Sequence, residues 1–323
     1  MRGLALRRLG LASFTVALVV VLTFLLAHLA PGEPMVGDAE LRHADPSLVE
    51  RQRRLFGLDR PLPEQLARYT ANALRGELGE SFALRRPVAA IIRERLPNTL
   101  LLGGAALLLS FAIGLLAGTI QAARRGSRTD RAIGALVALA YAMPSFWLGL
   151  VLLFVFGQLL HWLPIGGMTD PLRHDAMAAP ARIIDVLRHT LLPALTLALV
   201  NAAAVARFQR GALADVLASD WVRTARAKGL PAARVLLRHG VRAALAPVVT
   251  LAVLSVPALL AGSVLVESVF GWPGMGRLMQ EAILVRDYNL ITGIGLVSGV
   301  LVALANLAAD LGVAALDPRE RAA

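Results

Sequence analysis

Cysteine is absent from this 323-residue sequence, and lysine occurs once, as Lys228. The missing cysteines exclude disulfides, thiolate metal sites and cysteine nucleophiles. Charge is scarce as well: Asp, Glu, Lys and Arg make up 17% of the residues, where a soluble domain carries about 25%. The short motifs of common enzyme chemistries are also missing. There is no G-x-x-x-x-G-K-[ST] phosphate loop, and the one lysine lies in Ala227-Lys228-Gly229, so the chain lacks that route to ATP hydrolysis. There is no H-E-x-x-H zinc pair and no G-x-S-x-G nucleophile elbow. The histidines (28, 43, 161, 174, 189 and 239) are scattered, without the spacing of metal ligands. No catalytic residue, no metal and no cofactor is expected.

What the chain has in abundance is apolar sequence, 57% of it, with a mean hydropathy of +0.64. Six runs stand out: Leu9–Ala30, Asn98–Ile120, Ala132–Leu160, Leu191–Ala206, Pro247–Val266 and Leu290–Leu316. A bilayer core takes about 20 apolar residues, and lipid satisfies no backbone polar group, so each span must be helical. The expectation is an all-α polytopic membrane protein with six transmembrane helices. The fourth run is short and should extend to either side. The third contains Pro144, where a kink or an early end is expected. The first run is longer than the apolar stretch of a signal peptide and is followed by Pro31, so it reads as a retained helix. Ionisable groups in the runs are few: Glu267 at one edge and Asp310 within the last, with Asn201 and Asn306 polar but uncharged. Carriers coupled to ions or protons use such groups, so the energy source is expected on another chain. An ion-coupled secondary transporter or channel and an intramembrane enzyme are the alternative readings.

Net charge is +11, with 32 Arg. In a soluble protein this points to nucleic acid; here topology accounts for it. With the N-terminus inside, segments 1–8, 121–131, 207–242 and 317–323 hold 17 basic residues, while the outer loops 161–190 and 269–289 hold 5. Basic residues in short loops collect in the cytoplasm. Both termini are therefore expected there. Membrane lipid is an expected partner and nucleic acid is not. The other 11 basic residues lie in segment 31–97 beside 10 acidic ones, and a segment that long is largely exempt from the charge rule.

The expected division is residues 1–30 as N-terminus and first span, 31–97 as an extracytoplasmic helical insert, 98–316 as a core of five spans, and 317–323 as a cytoplasmic tail. The insert reads as short helices: one from near Ser47 to Gly57, one from Pro63 to about Leu74, and one from Pro87 to Leu96 with Val88, Ile91, Ile92 and Arg95 at helical spacing. The segment 270–276, rich in Pro and Gly, reads as the turn into a short outer helix at 275–285.

The most informative stretch is the inner loop 207–242. Ser219 and Asp220 offer an N-cap; Trp221, Val222 and Ala225 share a helical face, with Arg223 and Arg226 largely elsewhere. Gly229 suits a left-handed C′ position, and Pro231 suits the first position of a following helix. The pattern is helix, tight break, helix. A basic helix lying on lipid headgroups fits it. The small residues Thr224, Ala225, Ala227 and Gly229 fit close packing against another protein instead.

Arg223-Thr224-Ala225-Arg226-Ala227-Lys228-Gly229-Leu230 resembles the EAA loop of binding-protein-dependent ABC importer permeases. It is most similar to the variant in first-type dipeptide, oligopeptide and nickel permeases. Arg223-Thr224-Ala225 stands where other branches have Glu-Ala-Ala, and the motif glycine is Gly229. Further similarities run in order along the chain: Leu29-Ala30-Pro31-Gly32-Glu33-Pro34, Gly57-Leu58-Asp59-Arg60-Pro61-Leu62, Arg75-Gly76-Glu77-Leu78-Gly79, Arg95-Leu96-Pro97-Asn98-Thr99-Leu100, Phe270-Gly271-Trp272-Pro273-Gly274-Met275-Gly276 and Leu316-Asp317-Pro318-Arg319. The resemblance implies a type I ABC importer permease fold in a bacterial cytoplasmic (inner) membrane. It implies partnership with a second homologous permease subunit, two cytoplasmic ABC ATPase subunits and an extracytoplasmic solute-binding protein. Trp221, Arg223, Thr224, Ala225, Arg226, Ala227, Lys228 and Gly229 would then form the ATPase-coupling region. A short helix tied to two spans can pass motion between two discrete states. The implied cargo is peptides, peptide-like solutes or nickel chelates. Segment 31–97 would contact the binding protein, cover the pathway entrance or serve as packing.

Overall fold

The computed structural model describes residues 2–29, 59–260 and 264–316. The expected helix from Ser47 to Gly57, most of the Leu29–Pro34 motif and the tail 317–323 lie outside them. Among the described residues the chain is helical, with one isolated bridge between Glu80 and Pro87. The helices are α1 (Arg2–Leu29), α2 (Leu62–Ala73), α3 (Val88–Ala123), α4 (Arg128–Ala142), α5 (Ser145–Leu152, continued by a π-helical stretch Leu153–Leu159), α6 (Ala179–Ala218), α7 (Asp220–Ala227), α8 (Ala232–Arg234, continued by a π-helical stretch Val235–Val241), α9 (Arg242–Leu260), α10 (Val264–Val269), α11 (Met275–Leu284) and α12 (Tyr288–Leu316).

Four helical segments are long and apolar enough to cross a bilayer: Gly10–Leu29 of α1, α3, α6, and Tyr288–Asp310 of α12. Two bent pairs bring the number to as many as six: Arg128–Ala142 with Ser145–Leu159, bent by 111°, and Ala232–Leu245 with Pro247–Pro257, bent by 49°. The chain is thus an all-α, multi-pass protein. The sharp bend falls where Pro144 was expected to interrupt the third run. Met143 is extended, with ψ 136°, because a proline pushes the residue before it out of the helical region, and Pro144, at ψ 134°, is the N-cap of α5.

One expectation about a boundary is corrected. The insert helix expected at 87–96 is not separate: α3 runs unbroken for 36 residues with Pro97 inside it. An interior proline costs one hydrogen bond, about 3 kcal/mol. Burial of Val88, Ile91 and Ile92 on one side of Pro97 and Leu102 on the other offsets it. The fourth run, Leu191–Ala206, extends to either side as expected, within a 40-residue helix. The first part of the loop expected at 207–242 is therefore the end of α6.

One compact unit comprises Met1–Thr99 and Gly274–Leu307. Its core joins Phe82, Val88, Ile91 and Ile92 to Met275, Leu278, Tyr288 and Ile294. Asp287, fully buried, accepts hydrogen bonds from Ser81 Oγ (2.6 Å), Ala83 N–H (3.0 Å) and Leu290 N–H (3.1 Å). It caps α12 and fastens the turn 81–83 to it, and these donors satisfy its buried carboxyl oxygens. Gly295 and Gly299 let α12 approach Thr23 and Val19 of α1, where a Cβ would come within 2.7 Å and 3.0 Å of those side chains.

The other unit comprises Leu100–Pro273 and Ala308–Ala323. Here α3 and α6 meet at Gly114 and Gly118, where an added Cβ would lie 2.5 Å from Val205 Cβ and 2.5 Å from the Ala206 carbonyl oxygen. Small residues four apart let membrane helices pack backbone to backbone. The segment 270–276 makes the expected turn into a helix, α11. Gly271, at φ 60°, ends α10 with its N–H on Ser268 O (3.2 Å) and the Trp272 N–H on Glu267 O (2.8 Å). Trp272 is fully buried with Leu102, Ala106 and Ala194. Glu267, placed by sequence at a span edge, is fully buried.

Candidate functional site

The loop that the sequence singles out is built from the end of α6, α7, α8 with its π-helical stretch, and the start of α9. Ser219 occupies the N-cap position of α7 with extended backbone (φ −71°, ψ 152°). Its hydroxyl turns back to donate to Val216 O at 2.6 Å and does not cap α7. Asp220 in the first turn suits the positive end of the helix. The other end carries a Schellman motif. Leu230 N–H reaches Ala225 O (3.4 Å), Gly229 N–H reaches Arg226 O (2.9 Å), and Gly229 sits at φ 76°. Pro231 follows with φ −56° and ψ 137°. It is therefore the N-cap of α8, one position earlier than expected, because its extended ψ already turns the chain.

The expected residues divide by face. Val222 is fully buried, as is Val235 in the π-helical stretch, and α7 packs against that stretch and the end of α6. Ala225 is half-buried. Arg223, Thr224, Arg226, Ala227, Lys228 and Gly229 are all exposed. Arg223 pairs with Asp220 at 3.3 Å, and Thr224 Oγ1 donates to Asp220 O at 3.0 Å. Trp221 differs from its expected face-mates: it is 47% exposed, with its ring edge-on to His239 at 6.4 Å between centroids. Beneath the loop lies a small core of Ala122, Leu213 and Ala244, with Val216, Leu217 and Val241 against it. The loop is thus a platform packed on one side, with Arg223, Arg226 and Lys228 exposed on the other.

A second set of residues ties this platform to the loop 121–131. Asp130 is buried and accepts from Arg210 Nε (3.1 Å) and Nη2 (2.9 Å), from Gly126 N–H (3.0 Å) and from Gln121 Nε2 (3.3 Å). Ser127 caps α4 by accepting from Asp130 N–H at 3.1 Å. The Ser127-x-x-Asp130 spacing is a readable capping signal. Arg210 is 80 residues away in sequence, and nothing local announces it. At the other end of α6, the Asp185 carboxylate pairs with His174 Nδ1 at 2.7 Å, accepts from the Asp170 N–H at 3.0 Å and lies 3.1 Å from His189 Nδ1, which bonds the Asp185 carbonyl oxygen at 2.8 Å. The sequence shows these histidines only as scattered. Among the described residues no group of three or more His, Cys, Asp or Glu is placed to hold a metal.

Residues 110–322 match the family described as binding-protein-dependent transport system inner membrane component. Similar proteins cover the chain almost end to end. The di/tripeptide transport system permease protein DppB of Pseudomonas aeruginosa is 39% identical over 98% of this chain and 97% of its own length. The oligopeptide transport system permease protein AppB of Bacillus subtilis is 37% identical over 93% of each. The glutathione transport system permease protein GsiC of Escherichia coli is 39% identical over 98% of this chain and 97% of its own length. With several apolar spans, a basic Schellman-capped platform and this end-to-end similarity, the chain belongs to the family of inner-membrane components of binding-protein-dependent transport systems.

Proposed function

We propose that this chain is one of two homologous membrane-spanning subunits of an ATP-driven importer of peptides or peptide-like solutes. In this reading two separate cytoplasmic ATPases supply the energy, and an extracytoplasmic binding protein delivers the solute. The chain crosses the membrane six times, with both termini in the cytoplasm and segment 31–97 outside. The observation that carries the proposal is the exposed surface of α7. Arg223, Thr224, Arg226, Ala227 and Lys228 face solvent on a helix whose buried side is fixed by Val222. The backbone of α7 is already ordered by this packing, so docking has mainly the exposed side chains left to order. The basic charge suits an acidic groove on an ATPase. The names of the relatives support peptides and glutathione as cargo classes.

The test is reconstitution in vesicles. The chain alone should hydrolyse no ATP above background. With the second permease subunit, both ATPases and the binding protein, ATP should drive uptake of labelled dipeptide or glutathione. Uptake by the chain alone under an ion gradient, or ATP turnover after every ATPase has been removed, overturns the reading.

A further inference from the structure

The apolar run Leu191–Ala206 of α6 carries two polar side chains, Thr196 and Asn201. Thr196 is buried and donates to Leu192 O at 2.9 Å. Asn201 is exposed. Its Nδ2 donates to Leu197 O at 2.9 Å, and nothing among the described residues donates to its Oδ1. We infer that this carboxamide lines the solute pathway and hydrogen-bonds the peptide groups of the cargo. The inference rests on the reading of the chain as half of a peptide importer, and it names a residue that touches the solute.

Two helices agree that Asn201 lies inside the hydrocarbon layer. Its own run ends at Ala206, about 8 Å further along the helix. The carbonyl of the adjacent Ala202 faces Gly114 of α3, and the run of that helix ends at Ile120, about 9 Å further on. Lipid would leave the Asn201 oxygen and its second amide hydrogen unpaired at this depth. Polar groups in spans therefore turn toward a bundle interior or a watery cavity. The bundle side of α6 is already taken, since α3, α4, α5 and α9 all pack on it. On its remaining face Leu197 and Ala204 are partly exposed and Asn201 and Phe208 are exposed, Phe208 by 54%. Their spacing of four, three and four puts them in one stripe. A helix enclosed by four others, with an unpaired carboxamide on its open side, forms the wall of a pathway. The carboxamide offers one acceptor and a spare donor, the complement of the C=O and N–H of a peptide group. Every peptide carries that group whatever its side chains, so the contact holds peptides without selecting among them.

The test uses the whole importer in vesicles. The chain contains no cysteine, so one introduced thiol is unique on it. In the assembled importer Asn201→Cys and Phe208→Cys should react with a charged, membrane-impermeant thiol reagent, read from the mass of this chain. Saturating dipeptide should slow the reaction at residue 201. Leu108→Cys, at a position 74% exposed on α3, should stay unreacted against lipid. Asn201→Leu should lower ATP-driven dipeptide uptake about fivefold, the worth of one hydrogen bond, with abundance and co-purification of the second permease subunit unchanged. Asn201→Gln keeps both groups and should retain most of the uptake. An unreactive Asn201→Cys overturns the inference: the face is then covered, by lipid if Asn201→Leu assembles normally and by the second subunit if it does not. Labelling that dipeptide leaves unchanged, wild-type uptake by Asn201→Leu, or equal labelling at residue 108 overturns it too. In each of these cases intact uptake by the wild type leaves the importer reading standing, whereas a wild type without ATP-driven uptake overturns both.

Discussion

At Gly118 an added Cβ would lie 2.5 Å from the Ala206 carbonyl oxygen and 2.8 Å from Gln209 Cβ, whereas at Gly229 it would meet no atom within 4 Å. Gly118 has helical backbone and no room; Gly229 has room and a left-handed backbone at φ 76°. The same residue type thus serves two purposes. In the span it sets how closely α3 and α6 approach. In the loop it sets the angle at which α7 hands the chain to α8. Damage at the first should appear as loss of the folded protein, and damage at the second as loss of coupling in a protein that still folds.

The largest effect is expected from Gly118→Ala. Overpacking costs about 1–3 kcal/mol when side chains can adjust, and here a backbone oxygen stands in the way. Membrane abundance should fall severalfold and the melting temperature of the purified chain should drop. Normal abundance would break the comparison at its firmest point. Next comes Asp130→Asn, which removes the charge that pairs with Arg210 and leaves the shape. Thermal stability should fall less than for Gly118→Ala, with reduced ATPase co-purification, because α6 and the loop 121–131 lose their fastening. Wild-type stability would show the pair to be dispensable.

Gly229→Val should strain the backbone by about 1–2 kcal/mol in a loop with no neighbouring atoms to clash with. Abundance should hold while ATPase co-purification and uptake fall together. Gly229→Asn should be milder, since asparagine tolerates the left-handed region. A collapse in abundance for the valine variant would erase the distinction from Gly118. The smallest effect is expected from Arg226→Glu on the exposed face of α7. Charge reversal should weaken ATPase association, and added salt should shrink the difference, because exposed charges are screened over about 8 Å at physiological ionic strength. An effect independent of salt would mean a contact buried on docking.

The prolines show how far sequence reached and where it stopped. Pro144 ends α4 as expected, with a 111° bend, while Pro97 and Pro193 lie inside unbroken helices. The local signal is the same in all three. Burial and packing on either side decide the outcome, and the chain's own pattern does not display them. The break at Gly229 was legible because a Schellman cap is local: glycine, the preceding helix and the following proline are neighbours in sequence. Asp130 with Arg210, and Asp185 with His174 and His189, were not legible as groups, since folding alone brings their members together. The spacing Gly114-x-x-x-Gly118 lies between, visible in the sequence but given meaning only by Ala202, Val205 and Ala206 across from it.

One dimension of α6 has a mechanical consequence. At 40 residues the helix is about 60 Å long, against about 40–45 Å for a whole bilayer with its headgroups. A swing of about 5° about its middle moves the two tips in opposite directions, roughly 5 Å relative to each other. Asp185 and His189 ride near one tip, and Arg210 and the approach to α7 ride near the other. Paired distance probes on residues 182 and 215 of this seesaw should record opposed displacements during the transport cycle, with no chain of side-chain relays needed between them.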